Sequence, residues 1–431
     1  MDAAEAPTSR LTLPALRRAL GPGLLWAGSA IGVSHLVQST RAGADAGLAL
    51  AGVILVALVL KYPFFEYGPR YAAATRSSLV EGYARTGRWA LWLYFAITVV
   101  SGIVVDAAIL LLTAFLVSAT LGSTLPVAFV AGVIYAACAG LLALGRYRLL
   151  DASMKVILTA LAATTLVAAG AALARVDLGT LRLIPDLGDG SAVSFAFLLA
   201  LAGWMPTAID LSVWSSLWTL ARDRTTGGVS SVAAARADFL VGYVGTGVLA
   251  YAFLVLGAAV MYGSGTAFSA QGGAFTLQLV ELYGATLGEW TRPFVLVAVL
   301  TTMLSTSLTV VDGFPRALER TLQVMRSGPN ASAPWREETT GYWLWMAGLA
   351  ATTVIVLSLF TGSLTAMADF ATTTSFLSAP VLAYINLRAV RGREVPPAHR
   401  PGRAMVALSW IGIAAMALFG VFYIAWLVGR L

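Results

Sequence analysis

The amino-acid sequence predicts an all-α integral membrane protein of about eleven spans, built as two five-helix halves plus one additional C-terminal helix. Three observations carry this prediction. Of 431 residues, 58% are hydrophobic and only 11% are charged, whereas a soluble globular chain carries about 25% charged residues. Apolar runs recur along nearly the whole length, each long enough to cross roughly 30 Å of hydrocarbon as a helix, and the short alternating segments of a β-barrel are not seen. The basic residues are also distributed unevenly between the segments that join those runs.

The spans are expected at 19–41, 46–72, 89–121, 125–145, 150–174, 192–220, 237–262, 291–312, 340–360, 364–388 and 404–428. With the N-terminus inside, 22 of the 28 Lys and Arg residues fall on the inner side. They lie before span 1, at Arg70–Arg88, Arg146–Lys155, Arg222–Arg236, Arg316–Arg336 and Arg388–Arg403. Arg41, Arg175, Arg182, Arg292 and Arg430 fall outside, and Lys61 sits within span 2. This asymmetry follows the positive-inside rule, and places the N-terminus in the cytoplasm of what reads as a bacterial inner membrane. The net charge of +7 is therefore a matter of topology, not a nucleic-acid footprint.

The whole chain, 1–431, reads as one transmembrane domain. Residues 19–174 form a first repeat of spans 1–5, 192–388 a second repeat of spans 6–10, and 404–428 a peripheral span 11. Gly263–Glu289 reads as a short amphipathic helix on the outer face, and 323–338 and 390–403 as polar connectors. Met1–Leu20 is polar and basic, unlike a cleavable signal peptide. The one cysteine, Cys138, excludes an internal disulfide and a thiolate metal cluster. No P-loop, dinucleotide fingerprint or large soluble segment is present, so neither an enzyme nor a cofactor is expected. The implied partners are the lipid bilayer and a small ion or solute; nothing in the sequence specifies an oligomeric state.

Two spans are interrupted at their centres. In span 1, Gly28, Ser29, Gly32, Ser34, His35 and Gln38 break an apolar run. In span 6, Gly203-Trp204-Met205-Pro206-Thr207 places a proline, which cannot donate a backbone hydrogen bond, beside a glycine that lets the chain bend. Unwound backbone at that depth is tolerated only where it is buried in protein or lines a watery cavity. Breaks in the first span of each half mark inverted-repeat carriers with a midplane site. The plainer alternative is a proline kink and a close-packing glycine.

Several short motifs resemble the Nramp family of proton-coupled divalent-metal transporters. They are Gly21-Pro22-Gly23 opening span 1, Ala42-Gly43-Ala44 closing it, and Met205-Pro206 in span 6. Others are Thr75, Leu79, Glu81 and Arg85 after span 2, Tyr147-Arg148-Leu149-Leu150-Asp151 before span 5, and Ser305-Thr306-Ser307-Leu308-Thr309 in span 8. The resemblance runs in order along nearly the whole chain. It implies the LeuT-type inverted-repeat fold and alternating access.

The departures bear on cargo. The family's Asp-Pro-Gly-Asn, whose Asp and Asn bind metal, falls on Gly32-Val33-Ser34-His35. Its Met-Pro-His is Met205-Pro206-Thr207, Asp369 lies where span 10 of the family carries a Gln, and span 3 offers Asp106 alone in place of two acids. What remains is a remodelled site of Gly32, His35, Gln38, Gly203, Met205 and Thr207, with His35 and Met205 as the metal ligands it implies. Such a neutral shell suits a soft metal, or equally a small organic or inorganic solute.

Intramembrane polar side chains are costly and commonly functional. His35, Asp106, Asp210 and Asp369 are accordingly candidates for coupling a proton or cation. The plainer readings are a packing histidine, an Asp210–Arg41 ion pair, and static polar networks. Lys61, Glu66 and Arg70 read as a salt-bridged cluster or an inner-gate latch. Asp312 with Arg316 reads as a snorkelling surface pair, Trp26 and Trp204 as pocket walls or interior packing, and His399 as solvated. The leading expectation is a carrier of a divalent metal with proton coupling. Its rival is a carrier of a non-metal small solute, and a channel or sensor is a third class.

Overall fold

The computed structural model describes residues 21–182, 193–264, 288–329, 339–359 and 364–428, with scattered positions between 269 and 284. Among these residues the architecture is helical throughout. Span 1 comprises α1 (Pro22–Ala30), a π-helical turn over Ser34–Ser39 and α2 (Thr40–Ala46). Span 2 is α3 (Ala51–Thr75), followed by a short α4 (Leu79–Thr86) and span 3, α5 (Arg88–Leu121). The amphipathic α4 was not expected. Its signature is legible in retrospect: Ser78 and Glu81 form a reciprocal capping box at its start.

Spans 4 and 5 differ from expectation. In place of two helices separated near residue 147, one 47-residue helix, α6, runs Val127–Leu173. At about 70 Å it exceeds a bilayer's thickness, and its two apolar stretches, Val127–Leu144 and Met154–Leu173, are each long enough to cross. The joining residues contain no proline, so nothing in the backbone forces the helix to stop. The side chains of the Tyr147–Asp151 motif lie outside the described residues.

Span 6 splits into α7 (Phe195–Trp204) and α8 (Leu211–Thr226). Span 7 is α9 (Val232–Val260), span 8 is α10 (Arg292–Ser327), span 9 is α11 (Thr340–Leu359), span 10 is α12 (Leu364–Val390) and span 11 is α13 (Arg403–Val428). Helix α10 continues well past the expected end at 312. Most of the expected amphipathic helix at 263–289 lies outside the described residues. Seven stretches are long and apolar enough to cross a membrane among the described residues. The other expected spans are the two broken ones and α10 and α12, which carry Ser, Thr and Asp along their length.

Helix α9 lies against all of span 1, and glycines permit that approach. A Cβ on Gly23 would fall 2.2 Å from the Asp238 carbonyl oxygen, and one on Gly242 would fall 2.2 Å from that of Gly23. At the other end of span 1, a Cβ on Gly43 or Gly257 would fall 2.0 or 2.1 Å from the carbonyl oxygens of Leu254 and Thr40. Asp238 adds a polar clamp, accepting from the amides of Gly21 (2.9 Å) and Gly23 (2.7 Å) at the open start of α1. These are amides that a helix leaves without internal partners.

Candidate functional site

Helix α1 ends at Ala30, and the chain turns through Ile31 and Gly32 before the π-helical turn begins. A Cβ on Gly32 would lie 2.9 Å from the Thr306 side chain of α10. The glycine that replaces the family's aspartate therefore matches the close approach of span 8, which leaves no room there for a carboxylate. Thr306 Oγ1 stands 3.2, 3.0 and 3.1 Å from the carbonyl oxygens of Gly28, Ile31 and Thr302, so it joins the broken end of α1 to α10.

The second break is closed differently. Lys61 Nζ, fully buried on α3, donates to the carbonyl oxygens of Ala202 (2.6 Å) and Gly203 (2.7 Å) at the end of α7. These are among the carbonyls that the helix end leaves unpaired, and an ammonium there also complements the negative end of the helix dipole. Beyond them, Met205 is extended and Asp210 directly precedes the first residue of α8.

A closed cavity of about 20 Å³ lies between the two breaks, room for about one water molecule. Ser29, Gly32 and Ser34 line it from span 1, Trp204, Thr207 and Asp210 from span 6, Val105 and Ile109 from α5, and Thr306 and Phe314 from α10. Asp210 is 3% exposed, and neither carboxylate oxygen has a hydrogen-bond partner among the described residues. Trp204 walls the cavity and donates to Ser375 Oγ at 2.8 Å.

The cavity gathers only part of the site expected from sequence. Gly32, Thr207 and Asp210 line it; His35, Gln38, Gly203 and Met205 do not. The His35 ring is directed at α9, with Nε2 3.0 Å from the Thr246 carbonyl oxygen and Nδ1 2.7 Å from Ser34 Oγ. Because the carbonyl can only accept, Nε2 donates to it, and both ring nitrogens are occupied by protein. Among the described residues no group of three His, Cys, Asp or Glu side chains is placed to hold a metal ion. Span 1 puts His35 on the face opposite Gly32 because the π-helical turn rotates the chain between them. Gly203 serves packing, since a Cβ there would fall 2.4 Å from the Thr372 carbonyl oxygen.

Other expected pairings are also rearranged. Arg41 pairs with Asp369 (2.9 Å), not Asp210; Gln38 Nε2 donates to the same carboxylate oxygen at 2.9 Å, and the guanidinium lies 4.6 Å from the Phe197 ring centre. Lys61 stands apart from Glu66 and Arg70, which do pair, at 2.7 Å, with Arg236 as a third member. Asp312 and Arg316 pair at 2.7 Å, but in the interior: Trp218 and Tyr342 also donate to this fully buried carboxylate. Trp26 packs among Phe65, Phe239 and Tyr243, away from the cavity. His399 lends its carbonyl oxygen to Arg70. Asp106 is buried near Tyr135 and Cys138, with neither oxygen bonded among the described residues, and outside the cavity that its neighbours Val105 and Ile109 line.

No protein-family model matches the chain. An uncharacterized protein of Pasteurella multocida, PM0681, is 35% identical over 413 residues, covering 94% of this chain and 92% of its own. The chain belongs to the same family as that protein. Among solved structures, the manganese transporter of Eremococcus coleocola, in complex with an aromatic bis-isothiourea substituted compound, matches with a TM-score of 0.73 at 16% identity, over 97% of this chain and 88% of that one. MhsT in complex with L-phenylalanine matches at 0.61 and 14%, over 97% and 100%. Mhp1, a nucleobase-cation-symport-1 family transporter, matches at 0.57 and 12%, over 95% and 93%. The family member is an integral membrane protein with the LeuT-type fold expected from its sequence.

Three contributors to the site were not singled out from sequence as lining a cavity: Ser29, Ser34 and Thr306. Their signal was available, as hydroxyl side chains inside otherwise apolar spans. Two further residues hold the breaks in place. The role of Lys61 was misassigned, and that of Asp238 was not anticipated.

Proposed function

We propose that the protein is a secondary carrier, distantly related to the Nramp transporters, that works by alternating access at the cavity between its two broken spans. One observation carries this reading: both breaks converge on one closed cavity that also receives an unpaired, buried carboxylate. Broken helices with a midplane site are the working part of inverted-repeat carriers. The likeness in fold to transporters supports the same reading.

For the cargo, the residues favour a small organic or inorganic solute over a divalent metal. The metal reading with proton coupling rested on His35 and Met205, and neither lines the cavity. We place the protein in a bacterial cytoplasmic membrane with its N-terminus inside, on the strength of the basic-residue asymmetry.

Reconstitution into liposomes tests the proposal. Uptake of manganese, cadmium and magnesium is measured beside a thermal-shift screen of amino acids, amines and small anions. The expected result is stabilisation by, and uptake of, an organic or small inorganic solute without divalent-metal flux. Divalent uptake abolished by Met205→Ala or His35→Ala would restore the metal carrier.

A further inference from the structure

The cavity between the breaks is lined by acceptors. Four side-chain hydroxyls face it, and the hydrogens of three are already committed. Ser29 donates to the Leu25 carbonyl oxygen at 3.0 Å. Ser34 donates to the Ala30 carbonyl oxygen or to His35 Nδ1, each 2.7 Å away. Thr306 has one hydrogen for the three carbonyl oxygens around it. A hydroxyl carries one donor hydrogen and two acceptor lone pairs. Once the hydrogen is used, only lone pairs remain to be offered. The indole N–H of Trp204 is likewise committed, to Ser375. No basic side chain lines the cavity.

Into this acceptor-rich space projects the carboxylate of Asp210, with neither oxygen bonded among the described residues. An unpaired carboxylate removed from water is strongly unfavourable, by several kcal/mol even after the protein relaxes. A proton alone would neutralise it but would not account for a water-sized space beside it. A divalent cation would leave one positive charge uncompensated, since Asp210 is the one ionisable side chain lining the cavity. A small monovalent cation satisfies both charge and size, and hard cations take oxygen ligands.

We propose that the cavity binds one dehydrated monovalent cation of about sodium's size, with Asp210 as its counter-charge and the lone pairs of neighbouring hydroxyls as further ligands. This deepens the carrier reading and rests on it for its purpose: bound between the two breaks, the cation draws both half-helices together and is the ion that drives transport. Asp106 and Asp369 lie outside this site.

The test uses full-length protein in detergent, titrated with sodium, lithium and potassium chloride against choline chloride at constant ionic strength. Thermal stability and radioactive-sodium binding are both read. The expected result is saturable, one-to-one sodium binding that raises the melting temperature and is weakened roughly thirtyfold or more by Asp210→Asn, the scale for losing one partner of a buried charge pair. Asp106→Asn is expected to bind as the wild type does. If Asp210→Asn does not fold, Thr207→Val removes one lining hydroxyl without touching charge and is expected to weaken binding severalfold. Absence of monovalent binding in the wild type overturns the proposal. So does binding unchanged by Asp210→Asn or by Thr207→Val, or an infrared carboxylic-acid band showing Asp210 protonated at neutral pH in saturating sodium. Solute counterflow in liposomes separates the two readings. Sodium binding without any flux removes the carrier and leaves the site, while flux indifferent to monovalent cations removes the site and leaves the carrier.

Discussion

Lys61 and Gly203 meet where α7 ends: the Lys61 ammonium, carried by span 2, donates to the Gly203 carbonyl oxygen at 2.7 Å. A broken helix in lipid must have its terminal carbonyls satisfied from elsewhere, and here a neighbouring span supplies the donor. Lys61→Met keeps the apolar stem and removes that donor. It is expected to destabilise the fold by about 2–3 kcal/mol, the cost of losing a charged hydrogen bond and leaving buried acceptors unpaired. A melting temperature equal to that of the wild type would show that the ammonium is not the cap.

His35 provides the sharpest contrast between ligand and structural roles. With both ring nitrogens occupied by Ser34 and Thr246, His35→Ala is expected to lower stability by about 1–3 kcal/mol. The dependence of melting temperature on added cation or solute should keep its midpoint. A variant as stable as the wild type but with lost ligand response would return His35 to the site.

Two glycines on α9 are expected to behave oppositely. A Cβ on Gly257 would fall 2.1 Å from the Thr40 carbonyl oxygen, while one on Gly245 would meet nothing within 4 Å. Gly257→Ala should force span 1 and α9 apart and cost about 1–3 kcal/mol or more. Gly245→Ala should be neutral or stabilise by up to about 1 kcal/mol, as expected for alanine replacing glycine inside a helix. Fluorescence-detected gel filtration of heated samples reads both, and equal behaviour would refute the close-contact account.

Asp238 holds the start of α1 through two amide bonds. Asp238→Asn keeps one accepting oxygen and loses the charge, at an expected cost of about 1–2 kcal/mol by analogy with helix caps. Hydrogen exchange should show the Gly21 and Gly23 amides opening faster in the variant, with the far end of span 1 unchanged. Unaltered exchange would mean that the clamp does not hold α1.

Much of the fold was legible because lipid imposes it. Long apolar runs have no alternative to helix in hydrocarbon, so spans 2, 3, 7, 9 and 11 emerged close to their expected bounds. Both breaks were legible for the same reason, through Gly32 and Pro206. The continuous α6 was not, because a polar segment of this kind reads as a connector although its backbone is free to stay helical. The direction of His35 was not legible either. A π-helical turn alters the rotation per residue, and helical periodicity in the sequence carries no sign of it.

The sequence by itself therefore determined the solvent, the helical class and the two points where helices 1 and 6 unwind, since each follows from local composition. Only the tertiary structure decided which side chains share the space between those points. That choice depends on how α9 and α10 press against span 1, through Gly23, Gly257 and Thr306. It turned His35 toward Thr246 and left Asp210 facing the cavity without a partner. Contacts between residues more than 200 positions apart in the chain set that orientation, and hydropathy along a single segment holds no record of them.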